Sequence, residues 1–417
     1  MRSWERVRDE YAGKPILLGL ERVRRSAGSM TLRLPPVCLT VGGTNGKGSV
    51  CAYLDCILRC GGYRVGTYTS PHILGFGERI RLQGCPASDE LLDALFSHAA
   101  AADGAELLTQ FELDTLAALV AFSSAQLDVM VLEVGMGGRL DACNVVDSDC
   151  SIVTSVGIDH TEFLGSSREQ IGFEKAGIFR ACKPAIVGDA QAPVRLVEHA
   201  RAIGADLQLL GRDFGYRADQ DQWAYWGRHG ERGSLPYPGL RGSVQLSNAS
   251  TCIAALDAVS DLLPVSMQDI HRGLLEVELP GRFQVLSGRP VVVLDVAHNP
   301  QAAAVLADNL SGMGPCADTW AVFGMLRDKD VAGVVRLLAK RIDHWMVCTL
   351  PPPRGAQAAE LAQVLQQAGM DAVRSFESAA LAYAAARSEA GDNDRIVVFG
   401  SFHTVADILA ARESPKA

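Results

Sequence analysis

No stretch of about 18 uninterrupted apolar residues occurs in the chain, so no membrane-spanning helix is expected. The N-terminus, Met-Arg-Ser-Trp-Glu-Arg-Val-Arg-Asp-Glu, is charged and mixed and lacks the apolar core of a signal segment. The 11 cysteines are scattered and form no Cys-x-x-Cys pair, so neither a zinc nor a redox motif is supported. Unpaired thiols in odd number suit a reducing compartment, and a cytoplasmic protein is expected. Excess positive charge is also missing. The formal net charge is −9, which argues against a general nucleic-acid or acidic-membrane binder. A local basic site for an anionic substrate stays open. No internal repeat or low-complexity segment interrupts the chain.

What is present is an ordinary globular composition: 417 residues, 48% hydrophobic and 21% charged, enough for two domains. The chain is organised around Val41-Gly-Gly-Thr-Asn-Gly-Lys-Gly-Ser49. An apolar run from Pro36 to Val41 leads in, and a helix-like run from Val50 to Arg59 follows. Strand, glycine turn with one lysine, then helix is the geometry that binds a phosphate chain. Backbone N–H groups point outward, the helix N-terminus adds partial positive charge, and Lys47 adds a full one. The spacing departs from the standard pattern. The first required glycine falls on Val41, and Gly48 separates Lys47 from Ser49. A plain glycine turn is therefore the competing reading.

The fold class expected is α/β: a P-loop-type doubly wound N-terminal domain over 1–279, then a smaller Rossmann-like domain over 280–417. The boundary is placed at Glu278-Leu-Pro-Gly-Arg-Phe283, where proline and glycine follow an apolar helix. In the first domain, helices are expected over 2–13, from Ile16, and over 88–102, 113–125, 166–179, 193–203, 248–263 and 266–275. Strands are expected over 63–68, 78–83, 128–134, 151–157 and 184–188, with short strands and loops over 205–246. The second domain should alternate strand and helix from Pro290 to a last strand over 395–399.

Polar groups gather at strand ends, where open α/β sheets bind ligands: Lys47, Ser49, Ser70, Glu133, Asp141 and His160. Glu133 and a nearby hydroxyl suit the magnesium that accompanies a nucleotide, whereas imidazole favours softer metals. Singly, each has a bland reading. Asp159-His160 is then a hydrogen-bonded loop end, and Lys175 in Phe-Glu-Lys-Ala-Gly a surface lysine. Arg282 is an interdomain salt bridge or a phosphate contact. Asp295 suits ribose hydroxyls and His298 a phosphate or carboxylate, while Asn299 before Pro300 reads as a helix cap.

Eight blocks in order carry a resemblance over about residues 16–406. They are Gly43–Ser49, Thr69–His72, Leu132–Asp141, Asp159–Thr161, Glu174–Ile178, Pro280–Gln284, Asp295–Pro300 and Gly400-Ser-Phe-His403. They resemble folylpolyglutamate synthase in its bacterial form that is also dihydrofolate synthase, a relative of the Mur ligases. The resemblance implies an ATP-dependent amide ligase that joins L-glutamate to dihydropteroate and to reduced folates through an acyl phosphate. Folylpolyglutamate synthase alone, a Mur-type amino-acid ligase and a P-loop regulatory protein are the alternatives.

By matching position, the resemblance implies that Thr44, Asn45, Gly46, Lys47, Gly48 and Ser49 bind ATP phosphates and that Asn248 lies at adenine. It implies Arg282 at a phosphate, Asp295 at ribose and His298 near the reacting phosphate. Ser70, Glu133 and His160 become magnesium ligands, and Lys175 an N6-carboxylysine, which overturns its bland reading. Dihydropteroate or folate is implied at Leu17, Leu18, Gly19, Thr109, Gln110, Phe111, Glu112, Leu140, Asp141 and Ala142. Leu17 stands where bifunctional relatives often carry aspartate, and Cys143 where threonine is usual. Two Mg²⁺ ions are expected, with K⁺ as a further candidate cation. A monomer with no nucleic-acid or membrane partner is expected.

Overall fold

The computed structural model describes residues 2–413. The chain divides into two compact units. One runs to Gly239 and resumes over Leu246–Glu278; the other takes Leu240–Gln245 and the chain from Leu279 onward. The short segment 240–245, read from sequence as part of the first domain, is therefore counted with the second unit, where Ser243 N–H donates to Asn309 Oδ1 at 2.8 Å.

In the first unit, helices α1 (Ser3–Asp9) and α2 (Glu21–Gly28) precede strand β1 (Val37–Gly42). Helix α3 (Lys47–Cys60), strands β2 (Val65–Tyr68), β3 (Ile80–Leu82) and β4 (Cys85–Pro86), and helices α4 (Asp89–Ala100) and α5 (Gln110–Ser124) follow. Next come β5 (Val129–Glu133), β6 (Cys150–Val153), α6 (Thr161–Leu164), α7 (Arg168–Ala176), β7 (Pro184–Val187), α8 (Val194–Ala202) and β8 (Asp206–Leu209). A small antiparallel sheet, β9 (Gly215–Ala218), β10 (Trp223–Gly227) and β11 (Gly230–Leu235), leads to α9 (Gln245–Ala258) and α10 (Met267–Glu276).

The large sheet has the order β4-β3-β2-β5-β1-β6-β7-β8. Its strands from β2 to β8 are parallel, and β3 and β4 extend one edge antiparallel. Every residue of β1 and β5 is buried, as continuous apolar runs in a doubly covered parallel sheet should be. From β1 the chain reaches β5 and β2 on one side and β6 to β8 on the other. The C-terminal end of β1 is thus a topological switch point, where ligands bind in such sheets.

The second unit contains β12 (Gln284–Leu286), β13 (Val291–Leu294), α11 (Pro300–Gly312), β14 (Thr319–Phe323), α12 (Val331–Leu338), β15 (His344–Cys348), α13 (Ala358–Gln367), β16 (Val373–Phe376), α14 (Ala379–Glu389), β17 (Arg395–Phe399) and α15 (Phe402–Glu413). Its sheet order is β12-β13-β17-β14-β15-β16, parallel apart from the edge strand β12. The last strand returns to the centre, so the ends of β13 and β17 lie side by side.

Several sequence expectations are corrected. The helix expected over 2–13 contracts to α1, and the run from Ile16 stays irregular until Glu21, with Ile16 and Leu17 exposed. The expected strand 78–83 begins as a 3₁₀ turn, Phe76–Arg79. The helix expected from Leu113 starts at Gln110, because Thr109 and Glu112 form a capping box. The strand expected to Gly157 ends at Val153, where the chain turns to hold the glycine loop. Helix 166–179 shrinks to α7 behind the Ser167–Gln170 capping box. Helix 248–263 shifts to α9, so Asn248 lies within its first turn rather than opening it. Strand β12 and helix α15 were not anticipated.

Candidate active site

The glycine turn leaves β1 with Gly43 at φ +142° and Gly46 at φ +88°, backbone that side-chain-bearing residues rarely adopt. Space forbids a side chain as well. A Cβ on Gly43 would lie 1.9 Å from Thr154 Oγ1, and one on Gly46 2.6 Å from Asn248 Oδ1. The loop is pinned from the end of β6. Thr154 Oγ1 donates to Asn45 O at 2.7 Å, Ser155 Oγ donates to the same oxygen at 3.0 Å, and Asn45 N–H donates to Ser155 Oγ at 3.1 Å. Thr44 N–H donates to Ser155 O at 2.8 Å, and its hydroxyl donates to Gly157 O at 3.2 Å. Lys47 opens α3 and donates to Thr44 O at 3.3 Å, while Ser49 is buried within the first turn. Thr154 and Ser155 were not singled out from sequence; two hydroxyls ending an apolar strand were their only signal.

Glu133, the last residue of β5, pairs in register with Val41 and is buried. Its Oε2 accepts from Ser70 N–H at 3.0 Å, which brings the Thr69–His72 loop to this strand end. A carboxylate beside a hydroxyl is the hard oxygen set that magnesium takes. His160 caps α6 in the left-handed region, φ 50°, and is exposed; its N–H donates to Asp159 Oδ1 at 2.8 Å. The loop-end reading of that pair is correct as local structure. Among the described residues no group of three or more His, Cys, Asp or Glu gathers as a metal site. A Ser–Glu–His set holds only two residues of those types.

Lys175 lies on α7 and is 3% exposed, so the surface reading of this lysine is wrong. Burial, and secondarily the charge of Lys47, pulls its amine from the ordinary 10.5 down to about 7, against smaller opposing effects of Asp159 and Asp141. A neutral amine near pH 7 can add CO₂, and the resulting carbamate is an anion able to bind a cation. The glycine loop after β5 makes room for α7. A Cβ on Gly138 would meet the carbonyls of Glu174 and Lys175, each at 2.9 Å, and Arg139 pairs with Glu174 at 2.9 Å.

Around α5, Glu112 is buried and accepts both Arg22 (2.7 and 3.1 Å) and Thr109 N–H (2.7 Å). Arg22 also donates to Leu17 O at 2.6 Å, and Gly19 N–H donates to Leu140 O at 3.3 Å. Residues 17–19, 109–112 and 140 are thereby linked by hydrogen bonds. Leu18 is half-buried, and Gln110 Nε2 donates to Arg8 O at 3.5 Å. Phe111 covers Gly135, where a Cβ would lie 2.5 Å from Cζ. Asp141 is buried. Its Oδ2 accepts from Met136 N–H at 2.9 Å and its Oδ1 from Cys143 N–H at 3.0 Å. Burial pushes the Asp141 carboxyl up, and these amides oppose the shift. Ala142 is buried behind it. The Cys143 thiol donates to Glu133 O at 3.2 Å, a bond that a threonine hydroxyl could also make.

In the second unit, Asp295 follows β13. It accepts Phe283 N–H at 2.9 Å and Ala297 N–H at 2.8 Å. Burial raises its carboxyl from 3.8 to about 6, opposed by those two amides and by Arg282. His298 Nδ1 lies 2.8 Å from Val296 O, and Asn299 caps α11 through Ala302 N–H at 2.9 Å, as its sequence position suggested. Phe402, at the start of α15, has the Arg282 guanidinium 4.9 Å from its ring centre and the His298 ring at 6.1 Å. Arg282, Asp295 and His298 are thus neighbours, and Phe402 is the partner not singled out beforehand.

All 11 cysteines are free thiols, and no helix is long and apolar enough to cross a membrane among the described residues.

Residues 41–202 match the model of the Mur ligase middle domain, and residues 281–402 match that of the Mur ligase glutamate ligase domain. The dihydrofolate synthase/folylpolyglutamate synthase of Escherichia coli (strain K12) is 44% identical, over 98% of this chain and 94% of that protein. Solved structures share the fold, two of them with substrates or nucleotide bound. E. coli FolC in complex with DHPP and ADP has a TM-score of 0.93 at 42% identity, covering 100% of this chain and 98% of that one. A bifunctional folylpolyglutamate synthase/dihydrofolate synthase with Mn, AMPPNP and L-glutamate bound has a TM-score of 0.90 at 40% identity, covering 99% of both chains.

Proposed function

The chain belongs to the dihydrofolate synthase/folylpolyglutamate synthase family of Mur ligases, and from that premise we propose which of its residues carry the reaction. The enzyme is an ATP-dependent carboxylate–amine ligase. It adds L-glutamate to dihydropteroate, giving dihydrofolate, and to reduced folates, giving polyglutamates. A carboxylate is a poor electrophile until one oxygen becomes a leaving group. Its attack on the γ-phosphate of ATP releases ADP and forms an acyl phosphate, and the glutamate amine then displaces phosphate.

The observation that carries the residue assignment is the burial of Lys175 within reach of the Lys47 charge. Thr44 to Ser49 would cradle the phosphates, with Lys47 spreading the charge of the transferred group. Asn248, packed against Gly46, would read the nucleotide from α9. Glu133 and Ser70, with His160, would hold a first Mg²⁺, and carboxylated Lys175 a second; the metal supplies charge neutralisation at the phosphates. K⁺ is proposed as a further cation. Asp295 would hold ribose hydroxyls, Arg282 a phosphate, and His298 the reacting phosphate. Residues 17–19, 109–112 and 140–142 would line the pteroate pocket, with Phe111 stacking on the ring. The two units are proposed to act as the ATP-binding domain and the glutamate-ligase domain of a cytoplasmic monomer.

Phosphate release with ATP, Mg²⁺, glutamate and either dihydropteroate or a reduced folate tests this directly. Glutamate-dependent release is expected with both acceptors, and Lys47→Ala should abolish it. Release with a reduced folate alone would leave only the folylpolyglutamate synthase activity. Normal turnover by Lys47→Ala would remove the phosphate loop from the mechanism.

A further inference from the structure

Asp114 lies on α5, one turn beyond Gln110 and Phe111, and its side chain is 1% exposed. It accepts two arginines. Arg8 Nε donates to Oδ1 at 2.8 Å and Arg8 Nη2 to Oδ2 at 3.1 Å, while Arg79 Nη1 donates to Oδ2 at 3.1 Å. Both guanidiniums also lie over the Phe76 ring, at 4.7 and 5.2 Å from its centre. The arginines do different things. Arg8 belongs to the N-terminal helix. Arg79 grips the Thr69–His72 loop twice: its carbonyl accepts Thr69 N–H at 2.9 Å, and its Nε donates to His72 Nδ1 at 3.0 Å. A guanidinium has no acceptor, so His72 Nδ1 is the acceptor and Arg79 helps to orient the ring. Between Thr69 and His72 sits Ser70, whose N–H is held by Glu133.

We propose that Asp114 is a positioning residue for the ligation. Acting through Arg79, it holds the Thr69–His72 loop, and so Ser70 and its metal, in register with the first turn of α5. That turn carries Gln110, Phe111 and Glu112. The inference rests on the reading of Ser70 as a metal ligand and of residues 110–112 as acceptor contacts. Physically, a loop carrying a ligand has more freedom than a strand end. A buried carboxylate bridging a helix to that loop removes the freedom without touching substrate.

The test compares Arg79→Lys, Asp114→Asn, Arg8→Ala and Ser70→Ala in the full chain. A lysine has one amine, which can reach Asp114 or His72 but cannot span both as the guanidinium does. Arg79→Lys should lower kcat and should weaken Mn²⁺-dependent AMPPNP binding, measured by calorimetry, by about tenfold. Metal-free ADP binding and the thermal midpoint should stay near those of the parent. Asp114→Asn should follow the same pattern; if it does not fold, Arg79→Lys carries the test. Arg8→Ala should lower the thermal midpoint and leave kcat unchanged. Unchanged metal-dependent binding in Arg79→Lys, or an equal loss in Arg8→Ala, overturns the proposal. Ser70→Ala separates the layers. A metal-binding loss in Ser70→Ala without one in Arg79→Lys removes the role of Asp114 and keeps that of Ser70. No loss in Ser70→Ala removes both.

Discussion

Lys175 is buried near Lys47, and the second cation helps to hold the first neutral: burial and the Lys47 charge together bring the Lys175 amine to about 7. A protonated lysine there would face both desolvation and like-charge repulsion. Addition of CO₂ to the neutral form converts the repulsion into attraction.

Lys175→Ala should therefore lose most activity, with partial rescue by a small carboxylate in solution. Enzyme prepared free of CO₂ should regain activity on adding bicarbonate, and the regain should shrink below pH 7, where the amine is protonated. A fully active Lys175→Ala would refute the carbamate. The same shift has a sign in stability. The folded value lies below the unfolded 10.5, so the unfolded chain binds more protons between about 7 and 10.5. For the unmodified protein, the Lys175 contribution should be present above that window and be lost as pH falls through it. Lys175→Met should flatten the slope, read from denaturation midpoints.

Gly46→Ala should cripple nucleotide binding. The new Cβ meets Asn248 Oδ1 at 2.6 Å, in a backbone at φ +88°. Strain of about 1–3 kcal/mol is expected in the loop itself. Adding Asn248→Ala should relieve the clash and leave the backbone strain, so the double variant should recover stability only in part. Calorimetry of ADP binding and thermal melts of the two variants check this.

Asp295 offers a separate pH handle. Its folded carboxyl is raised to about 6 from 3.8, so the folded state binds more protons between these values. Its contribution to stability is present below 3.8 and is lost as pH rises through about 6. In its proposed ribose role Asp295 must be ionised to accept the hydroxyls, so the KM for ATP should rise as pH falls through that range. Asp295→Asn should raise the KM about tenfold or more and remove the acid limb. An unaltered limb would assign it to another group.

Asp141→Asn distinguishes a loop clamp from a pterin contact. Both carboxylate oxygens already accept backbone N–H groups, and an amide turns one acceptor into a donor facing a donor. A loss of about 1–3 kcal/mol without any ligand is expected. A variant of unchanged stability but weakened dihydropteroate binding would show that the pterin contact dominates.

The glycine turn and the strand ending in Glu133 were readable because both depend on local spacing. Glycines at φ-demanding positions and buried strands leave marks over a few residues. The helix start at Gln110 was missed because the Thr109–Glu112 capping box was not weighed. Asp114 left no readable mark, Phe402 only its place in the block Gly400-Ser-Phe-His403, and Thr154 only a hydroxyl ending an apolar strand. Their partners lie far off in the chain: Arg8 and Arg79 for the first, Arg282 and His298 for the second, Gly42 and Asn45 for the third.

The order and type of most elements, including the strand–glycine turn–helix unit around Lys47, follow from residue spacing and periodicity along the chain. The state of Lys175 does not. By spacing alone a lysine between a glutamate and an alanine reads as surface, a reading that only the family resemblance reversed, and packing is what removes its water and sets Lys47 near it. Desolvation and charge proximity are properties of space, not of sequence distance, so the tertiary fold decides whether that amine is a bystander or a participant.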